Sequence, residues 1–250
     1  GVSSDRFNFA EYNLLLTPSE RKSVFGQVRF EFTPQVSGFA RVLYNARTSS
    51  NQAAPEPFFL GTDAGVYNPY AESTLVISAR NPFNPFGFDL TTVGDDANLF
   101  LLGRRPVEGG PRRYTQDVKT WYAAGGLEGT FGVGVRTWNW DVNLMRSESR
   151  AEQTNTGSYN IRRINEALGD PDACAAIAGC TPLNLFGGPG TITPAMLAFI
   201  QPVVRDESRN TLSLASANVT GDLFQLPAGA FSFAAGVEYR KYEGSYTPDP

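Results

Sequence analysis

Hydrophobic and polar residues alternate along several stretches of this chain, which is the pattern of β-strands with one apolar and one polar face. The stretch T-W-N-W-D-V-N-L begins at Thr137, and A-F-S-F-A-A-G-V-E-Y-R begins at Ala230. Similar alternation begins at Val24 and at Ala215. Alternation sustained over about 9–11 residues matches the length of a tilted strand that crosses a membrane.

We therefore predict that the two faces of these strands meet different surroundings. The apolar positions are predicted to face lipid: Trp138, Trp140, Val142, Leu144, Phe231, Phe233, Val237 and Tyr239. The polar positions are predicted to face a water-filled lumen: Asn139, Asp141, Asn143, Asn218, Asp222, Glu238 and Arg240. A soluble antiparallel sheet with one wet face also alternates, so it stays the alternative. Aromatic residues near the strand ends and the long strand expected at Arg113–Thr130 favour the membrane.

Turn signals divide the chain into about seven strands, which are expected at 7–16, 20–32, 38–49, 113–130, 134–150, 207–224 and 230–244. Three short turns lie at one end of these strands, and two long connections, about 50–111 and 151–206, lie at the other. Outer-membrane barrels have the same asymmetry, with short periplasmic turns and long extracellular loops. The predicted fold class is therefore all-β, an antiparallel transmembrane β-barrel segment with long extracellular loops. Seven strands are too few to close a barrel of the size that these loops suggest.

The stretch Asn98–Arg105 also has strand character, but a membrane strand there would break the alternation of strand directions. We expect it to pair outside the membrane with Arg112–Lys119. The second long connection is expected to hold two short helices, one between an N-cap at Ser158 and a stop at Gly169, the other beginning at Thr193. Between them lie Cys174 and Cys180, the only cysteines. In an oxidising compartment we expect them to form a disulfide.

Composition excludes several classes of function. The chain has no histidine, so neither a Ser-His-Asp nor a Cys-His catalytic site can be built, and we predict no enzyme activity and no cofactor. Its net charge of −4 gives no basic field for nucleic acid. The stretch G-G-P-G (Gly187–Gly190) lacks the lysine of a phosphate-binding loop, and Asp170 and Asp172 lack the spacing of a calcium loop. No apolar leader follows Gly1, and no apolar run approaches the about 20 residues of a membrane helix.

Four stretches together resemble segments of proteobacterial TonB-dependent outer-membrane receptors. C-T-P-L-N-L-F-G-G-P-G-T-I-T-P-A-M-L-A-F-I (Cys180–Ile200) and N-P-F-N-P-F-G (Asn81–Gly87) are similar to elements of their outer loops. L-L-T-P-S-E-R-K-S-V-F-G (Leu15–Gly26) and A-A-G-V-E-Y-R (Ala234–Arg240) are similar to their barrel segments. No stretch is diagnostic alone, but the four in this order are quite specific.

The resemblance implies a 22-stranded barrel that encloses a plug domain, lies in the outer membrane of a Gram-negative bacterium and imports a scarce nutrient with energy delivered through TonB. The implied partners are outer-membrane lipid, lipopolysaccharide, a small nutrient ligand such as a siderophore or an oligosaccharide, and TonB. No TonB-box segment or plug is visible in this sequence, so coupling to TonB is expected outside it. The alternatives are a porin-like or adhesin-like barrel without a plug, and a secreted soluble β-sandwich that binds carbohydrate.

The first long connection carries the candidate ligand contacts. Aromatic rings there could stack on a sugar or a siderophore, although packing within the loop is the favoured interpretation. They are Tyr67, Tyr70, Phe83, Phe86 and Phe88. Four arginines could bind lipopolysaccharide phosphates or an anionic ligand, with a solvated rim as the default: Arg104, Arg105, Arg112 and Arg113.

Overall fold

The computed structural model describes residues 7–63, 75–92 and 94–249, and its fold is mostly antiparallel β. The chain divides into two compact units. The sheet unit comprises residues 19–49, 116–153 and 205–250, and the loop unit comprises residues 1–18, 50–115 and 154–204. Within the described residues, no helix combines the length and the apolar character that crossing a bilayer requires.

Within residues 7–63, 75–92 and 94–249, six long strands form one sheet, and four short strands form two separate pairs. In chain order the strands are β1 (Ser19–Thr33), β2 (Val36–Ala53), β3 (Phe58–Leu60), β4 (Val76–Ile77), β5 (Leu90–Thr91), β6 (Leu102–Arg104), β7 (Arg112–Val133), β8 (Arg136–Thr156), β9 (Val204–Leu226) and β10 (Gly229–Thr247). The order of strands in the large sheet is β1-β2-β7-β8-β9-β10. The all-β, antiparallel class predicted from the alternation is therefore confirmed.

The large sheet consists of three hairpins, β1–β2, β7–β8 and β9–β10, each closed by a two-residue turn. The turn of the second hairpin contains Gly134 at φ +63°, a left-handed conformation that glycine adopts without steric cost. All three turns lie at the same end of the sheet. At the opposite end β2 and β8 continue into the long connections 54–111 and 157–203, close to the predicted 50–111 and 151–206.

The predicted strand at 7–16 is wrong, and the sheet has six long strands instead of seven. Residues 7–16 form turns, because the Asn8 side chain accepts a hydrogen bond from the Ala10 N–H at 3.1 Å and the Tyr12 N–H bonds to the Phe9 carbonyl at 3.2 Å. The polar side chain thus offers the backbone a local partner in place of a neighbouring strand.

The predicted pairing of Asn98–Arg105 with Arg112–Lys119 is also wrong. Residues 102–104 of this stretch form β6, which pairs with β3 in the register Phe58↔Arg104 to Leu60↔Leu102. Residues 112–119 were not available for that pairing, because they begin β7, which has β2 on one side and β8 on the other.

A bulge in the third hairpin changes which residues share a face. The register shifts between Phe231 and Ser232, so that Phe231 pairs with Phe224 while Ser232 pairs with Asp222. The two phenylalanine rings stack at 4.8 Å, and the Ser232 hydroxyl bonds to Asp222 at 2.6 Å. An extra residue of this kind re-aims the side chains beside a turn, so Phe224 joins the apolar face although it has the parity of Asp222.

In its described part the loop unit holds three short α-helices, α1 (Ile161–Leu168), α2 (Pro171–Ala175) and α3 (Pro194–Ile200). The N-cap of α1 is Asn160, which accepts from the Arg163 N–H at 3.1 Å, and not Ser158 as predicted. Gly169 follows α1, and Thr193 caps α3 by accepting from the Met196 N–H at 3.4 Å, both as predicted. Helix α2 was not predicted.

The loop unit has a continuous hydrophobic core. Its buried members come from the helices, the short strands and the loops between them: Phe58, Leu60, Leu75, Ile77, Leu90, Leu99, Ile164, Ala167, Leu168, Leu183, Leu185, Ile192, Met196, Phe199 and Ile200. A disulfide joins Cys174 to Cys180, as expected from the sequence, and Cys174 is buried. The unit is therefore an ordered domain with a core of its own.

Candidate functional site

The sheet unit has one strongly apolar face, which we call the apolar face. Its larger members are Val24, Val28, Phe30, Val42, Tyr44, Trp121, Leu127, Phe131, Trp138, Trp140, Val142, Leu144, Phe231, Phe233, Val237 and Tyr239. Trp138 lies between the rings of Phe131 and Phe233, with ring centroids at 6.2 and 6.3 Å. The β9–β10 register, the ring contacts of Trp138 and the alternation along β8 therefore place every residue predicted to face lipid on the same side of the sheet.

The apolar face is exposed. Val28 is 61% exposed, Leu144 62% and Val237 73%, although Leu144 lies in β8, an inner strand of the sheet. All the buried hydrophobic residues found among the described positions belong to the loop unit, and none belongs to the sheet unit. The sheet is therefore a single layer whose apolar side is not covered by a core of its own.

The opposite face of the sheet is polar and carries a hydrogen-bonded network. Asp141 accepts from Asn143 at 2.6 Å and from Asn218 at 2.8 Å, which brings together residues from two strands. Nearer the hairpin turns, Arg29 forms an ion pair with Glu128, and Ser37 bonds to both. Apart from Asn143, the residues of these two groups line a groove of about 430 Å³.

The predicted polar-face residues occupy three places on this surface. Asp141, Asn143 and Asn218 form the network just described, and Asn139 lines the same groove. Asp222 pairs with Ser232, and Glu238 pairs with Arg240 at 2.7 Å. The Arg29–Glu128 pair was missed, because it joins β1 to β7 across 99 residues of sequence and no local pattern reports such a contact.

A charged belt continues the apolar face toward the end of the sheet opposite the turns. It comprises Arg146, Glu148, Arg150, Arg209, Lys241 and Glu243. Glu148 is 6% exposed and accepts from Arg150 and Arg209, each at 2.6 Å. Sequence reasoning missed the belt, although R-S-E-S-R after Leu144 keeps the period of two and would have indicated it.

In the first long connection, asparagine side chains form the turns of N-P-F-N-P-F-G. Asn81 is 2% exposed, accepts from the Phe83 N–H at 3.0 Å and donates to the Ala167 carbonyl at 3.2 Å. Asn84 repeats the turn by accepting from the Phe86 N–H at 2.9 Å. The motif is thus a pair of asparagine turns that fixes the loop against α1.

The two phenylalanines of this motif differ in their surroundings. Phe83 packs against the hydrophobic core of the loop unit, whereas Phe86 is 54% exposed. The Phe86 ring lies 5.9 Å from Phe88 and 5.8 Å from Phe186. Phe83 therefore has a packing role, and Phe86 belongs to an exposed aromatic cluster. Tyr67 and Tyr70 lie outside the described residues.

Arg104 is held inside the loop unit by an ion pair. Its guanidinium lies 2.9 Å from Glu108, and the side chains are only 9% and 11% exposed. Glu108 also accepts from the backbone N–H groups of Gly190 at 2.7 Å and Ile192 at 3.3 Å. Burial by itself raises the pKa of Glu108, but the backbone hydrogen bonds and the Arg104 charge outweigh it, so its pKa is lowered.

The neighbouring arginines likewise donate hydrogen bonds to residues of the loop unit. Arg105 donates to the Pro55 carbonyl at 2.6 Å, and its guanidinium lies 4.7 Å from the Phe7 ring centroid. Arg112 donates to the Ala54 carbonyl at 2.9 Å, and Arg113 to the Gln52 side chain at 3.1 Å. Arginines that bind loop backbone in this way stabilise an irregular segment whose carbonyls have no strand partner.

Asp170 and Asp172 also have a partner within the chain. Both pair with Arg80, and Asp170 caps α2 by accepting from the Asp172 N–H at 2.8 Å. That backbone hydrogen bond, opposed by some burial and helped by the Arg80 charge, lowers the pKa of Asp170. Across the described residues, no three His, Cys, Asp or Glu side chains converge as a metal site would require.

Comparison with known proteins adds no family to these observations. No protein-family model matches the chain. A search of curated proteins finds no significant match either.

Proposed function

We propose that this chain is part of an outer-membrane β-barrel of the TonB-dependent receptor type, which binds a scarce nutrient and passes it across the membrane. In this proposal the apolar face meets lipid, the polar face lines the lumen, and the loop unit lies on the extracellular side.

One observation carries the membrane part of the proposal: the long-stranded sheet has an extensive apolar face but no buried hydrophobic residue among its described positions. Soluble proteins rarely expose a contiguous apolar surface beyond a few hundred Å². A sheet in water covers such a face with a second layer, whereas a barrel strand leaves it to lipid. The loop unit of the same chain buries its own apolar side chains, so the exposure is specific to the sheet.

The length of the apolar face fits a bilayer. On β1 the apolar positions run from Val24 to Phe32, which is about 27 Å at about 3.4 Å per residue. A strand tilted by about 40° would then span about 21 Å, near the about 25 Å of the apolar band in outer-membrane barrels. The placement of Tyr44, Trp138 and Tyr239 near the limits of the face suits an aromatic girdle.

The polar face supports a wet lumen. Asp141, Glu128, Arg29 and their hydrogen-bond partners would be costly to bury against lipid, because charged groups lose several kcal/mol of hydration there. Water, or another polar segment, satisfies them instead. The alternation therefore assigns opposite surroundings to the two faces. On β1 the positions from Val24 to Phe32 that belong to the apolar face carry no charge, and the charged side chains between them point to the polar face.

The receptor part of the proposal rests on the resemblance of four stretches and on the order of the loop unit. Long connections without structure are uncommon in compact proteins, and ordered ones are often functional. This unit has a core, a disulfide and an exposed cluster of Phe86, Phe88 and Phe186. We propose this cluster as the contact for an aromatic or sugar-like ligand.

The three tryptophans test the membrane part directly, because Trp121, Trp138 and Trp140 all lie on the apolar face. The full chain is reconstituted into phosphatidylcholine vesicles with brominated or unbrominated acyl chains. Brominated lipid is expected to quench the tryptophan fluorescence strongly. Equal emission in both vesicles, or a folded monomer that stays soluble without detergent, would overturn the membrane assignment.

The receptor part is tested in cells. Deleting the gene should abolish growth on one scarce nutrient, such as a ferric siderophore or an oligosaccharide, and deleting tonB should give the same defect. Uptake that persists without TonB, or open-channel conductance by the intact protein, would favour a porin-like barrel instead.

A further inference from the structure

The apolar face contains a shallow groove between β2, β7, β8 and β9. Its floor is formed by small residues, which are Ala40, Ala123, Gly125 and Ala215. The larger side chains of Leu144 and Tyr239 form its walls. The groove has a volume of about 660 Å³. Where small residues form a groove within a face of larger ones, a flexible hydrocarbon chain can lie closer to the sheet backbone than it can elsewhere on that face.

The groove ends at the charged belt. Arg146 lines it on β8, one step along the face beyond Leu144, and Ser213 lines it on β9, one step beyond Ala215. Lys241 follows Tyr239 in the same way on β10 and lies opposite Ser213. Two cations thus stand at the mouth of an apolar groove.

The belt as a whole has an excess of positive charge. It has four cations and two carboxylates, which gives +2, whereas the full chain has −4. Glu148 holds Arg150 and Arg209 in place, and Lys241 pairs with Glu243 at 2.8 Å. Arg146 pairs with no carboxylate within the described residues, while its charge acts on both Lys241 and Glu243. The positive charge that no carboxylate neutralises is therefore concentrated near Arg146 and Lys241, where an anion could bind.

We propose that this groove and the belt beside it bind one phosphorylated glycolipid of the outer leaflet, lipopolysaccharide, with an acyl chain in the groove and a lipid phosphate between Arg146 and Lys241. The proposal rests on the lipid-facing role of the apolar face. Arginine and lysine at the edge of an apolar band extend toward headgroup phosphates, and arginine binds phosphate through paired N–H donors.

The position of the belt selects this lipid over phospholipids. It lies at the end of the sheet where β2 and β8 continue into the long connections, the extracellular end in outer-membrane barrels. Two of the four arginines considered for this role from the sequence are engaged within the loop unit, because Arg104 is buried with Glu108 and Arg105 donates to the Pro55 carbonyl. The geometry moves the phosphate site from those arginines to Arg146 and Lys241.

Adjacent residues on β10 provide the test. Lys241→Gln removes a cation from the belt, and Arg240→Gln removes one from the opposite face, where Arg240 pairs with Glu238. Binding of purified diphosphoryl lipid A to the full chain in neutral detergent micelles is measured by native mass spectrometry. We expect Lys241→Gln and Arg146→Gln each to weaken lipid A binding about fivefold, and Arg240→Gln to leave it unchanged.

Phosphatidylglycerol and phosphatidylcholine serve as competing lipids. Equal effects of Lys241→Gln and Arg240→Gln would overturn the site, and phosphatidylglycerol binding as tight as lipid A binding would overturn the choice of lipid. Quenching by brominated lipid separates this failure from that of the membrane assignment. If quenching occurs and lipid A binding is insensitive to Lys241, only the glycolipid site fails.

Discussion

A single arginine placed on either face of β8 distinguishes a lipid-facing sheet from a sheet in water. Val142 lies midway between Trp138 and Arg146 on the apolar face and is 42% exposed, so Val142→Arg opens no cavity. Arginine at the middle of a bilayer costs a barrel about 2–4 kcal/mol. The same residue on an exposed surface in water changes stability by about 0.5 kcal/mol or less. The expected loss in lipid is therefore several times larger than the loss in water.

The matched control is Asn139→Arg, on the polar face of the same strand, where we expect a change of about 0.5 kcal/mol or less. Both variants and the parent chain are unfolded by urea from phosphatidylcholine vesicles, with tryptophan fluorescence as the signal. A loss of 2 kcal/mol lowers the folding equilibrium constant about 30-fold, which this titration resolves. If Val142→Arg costs no more than Asn139→Arg, the apolar face does not contact lipid, and the reasoning from alternation is refuted.

Two further predictions concern the loop unit. Leu168→Ala should destabilise it by about 3 kcal/mol, because Leu168 is fully buried, whereas Ile161→Ala on the exposed side of the same helix should cost below about 1 kcal/mol. The rate at which a protease cleaves within 157–203 compares the two variants. Equal rates would contradict the core described above. Because the pKa of Glu108 is lowered in the folded state, its contribution to stability is present above the unfolded pKa of about 4.3 and is lost as the pH falls through the folded pKa. The free energy of unfolding, measured by urea titration, should therefore fall less between pH 7 and pH 3 in Glu108→Gln than in the parent chain.

The long strands could be predicted from sequence because their signal is local and repeats. The apolar residues of T-W-N-W-D-V-N-L occur at every second position and all indicate the same strand face, so one misleading residue does not change the predicted strand. The three turns lay where Gly and Pro interrupt the alternation, and the structure closes them at Pro34–Gln35, Gly134–Val135 and Pro227–Ala228. The N-cap of α3 was also predictable, since Thr193 followed by Pro194 is a local signal.

The errors have other causes. One is that a short polar side chain can replace a strand neighbour. Asn8 turns the segment 7–16 by a bond two residues along the chain, and hydrophobic alternation does not register this. A second cause is that two residues near the start of α1 are good caps. Only the path of the chain selects Asn160 rather than Ser158. The partner of β6 could not be predicted, because three residues carry too little pattern to specify a register.

Several contacts between side chains could not be predicted for a further reason, since they join residues that are distant in sequence. Arg29 and Glu128 are 99 residues apart, and Arg104 meets Thr191 across 87. The type of side chain was nevertheless informative, because a charged residue on an alternating strand must find a partner, water or a headgroup. That rule would have identified the charged belt, where Arg146, Glu148 and Arg150 recur at every second position.

The two units solve the same problem of unpaired backbone and exposed apolar surface in opposite ways. In the loop unit, Asn81 donates to the Ala167 carbonyl and Arg112 to the Ala54 carbonyl, so side chains bind the backbone of irregular segments and the apolar residues enter a core. In the sheet unit the strands bind each other, and the apolar residues stay outside. A mean hydropathy of −0.25 averages over both arrangements and hides them. In the proposed function only the second arrangement has an apolar surrounding. The lipid dependence predicted here should therefore be confined to substitutions on the apolar face, and variants of the loop core should lose stability equally in vesicles and in detergent.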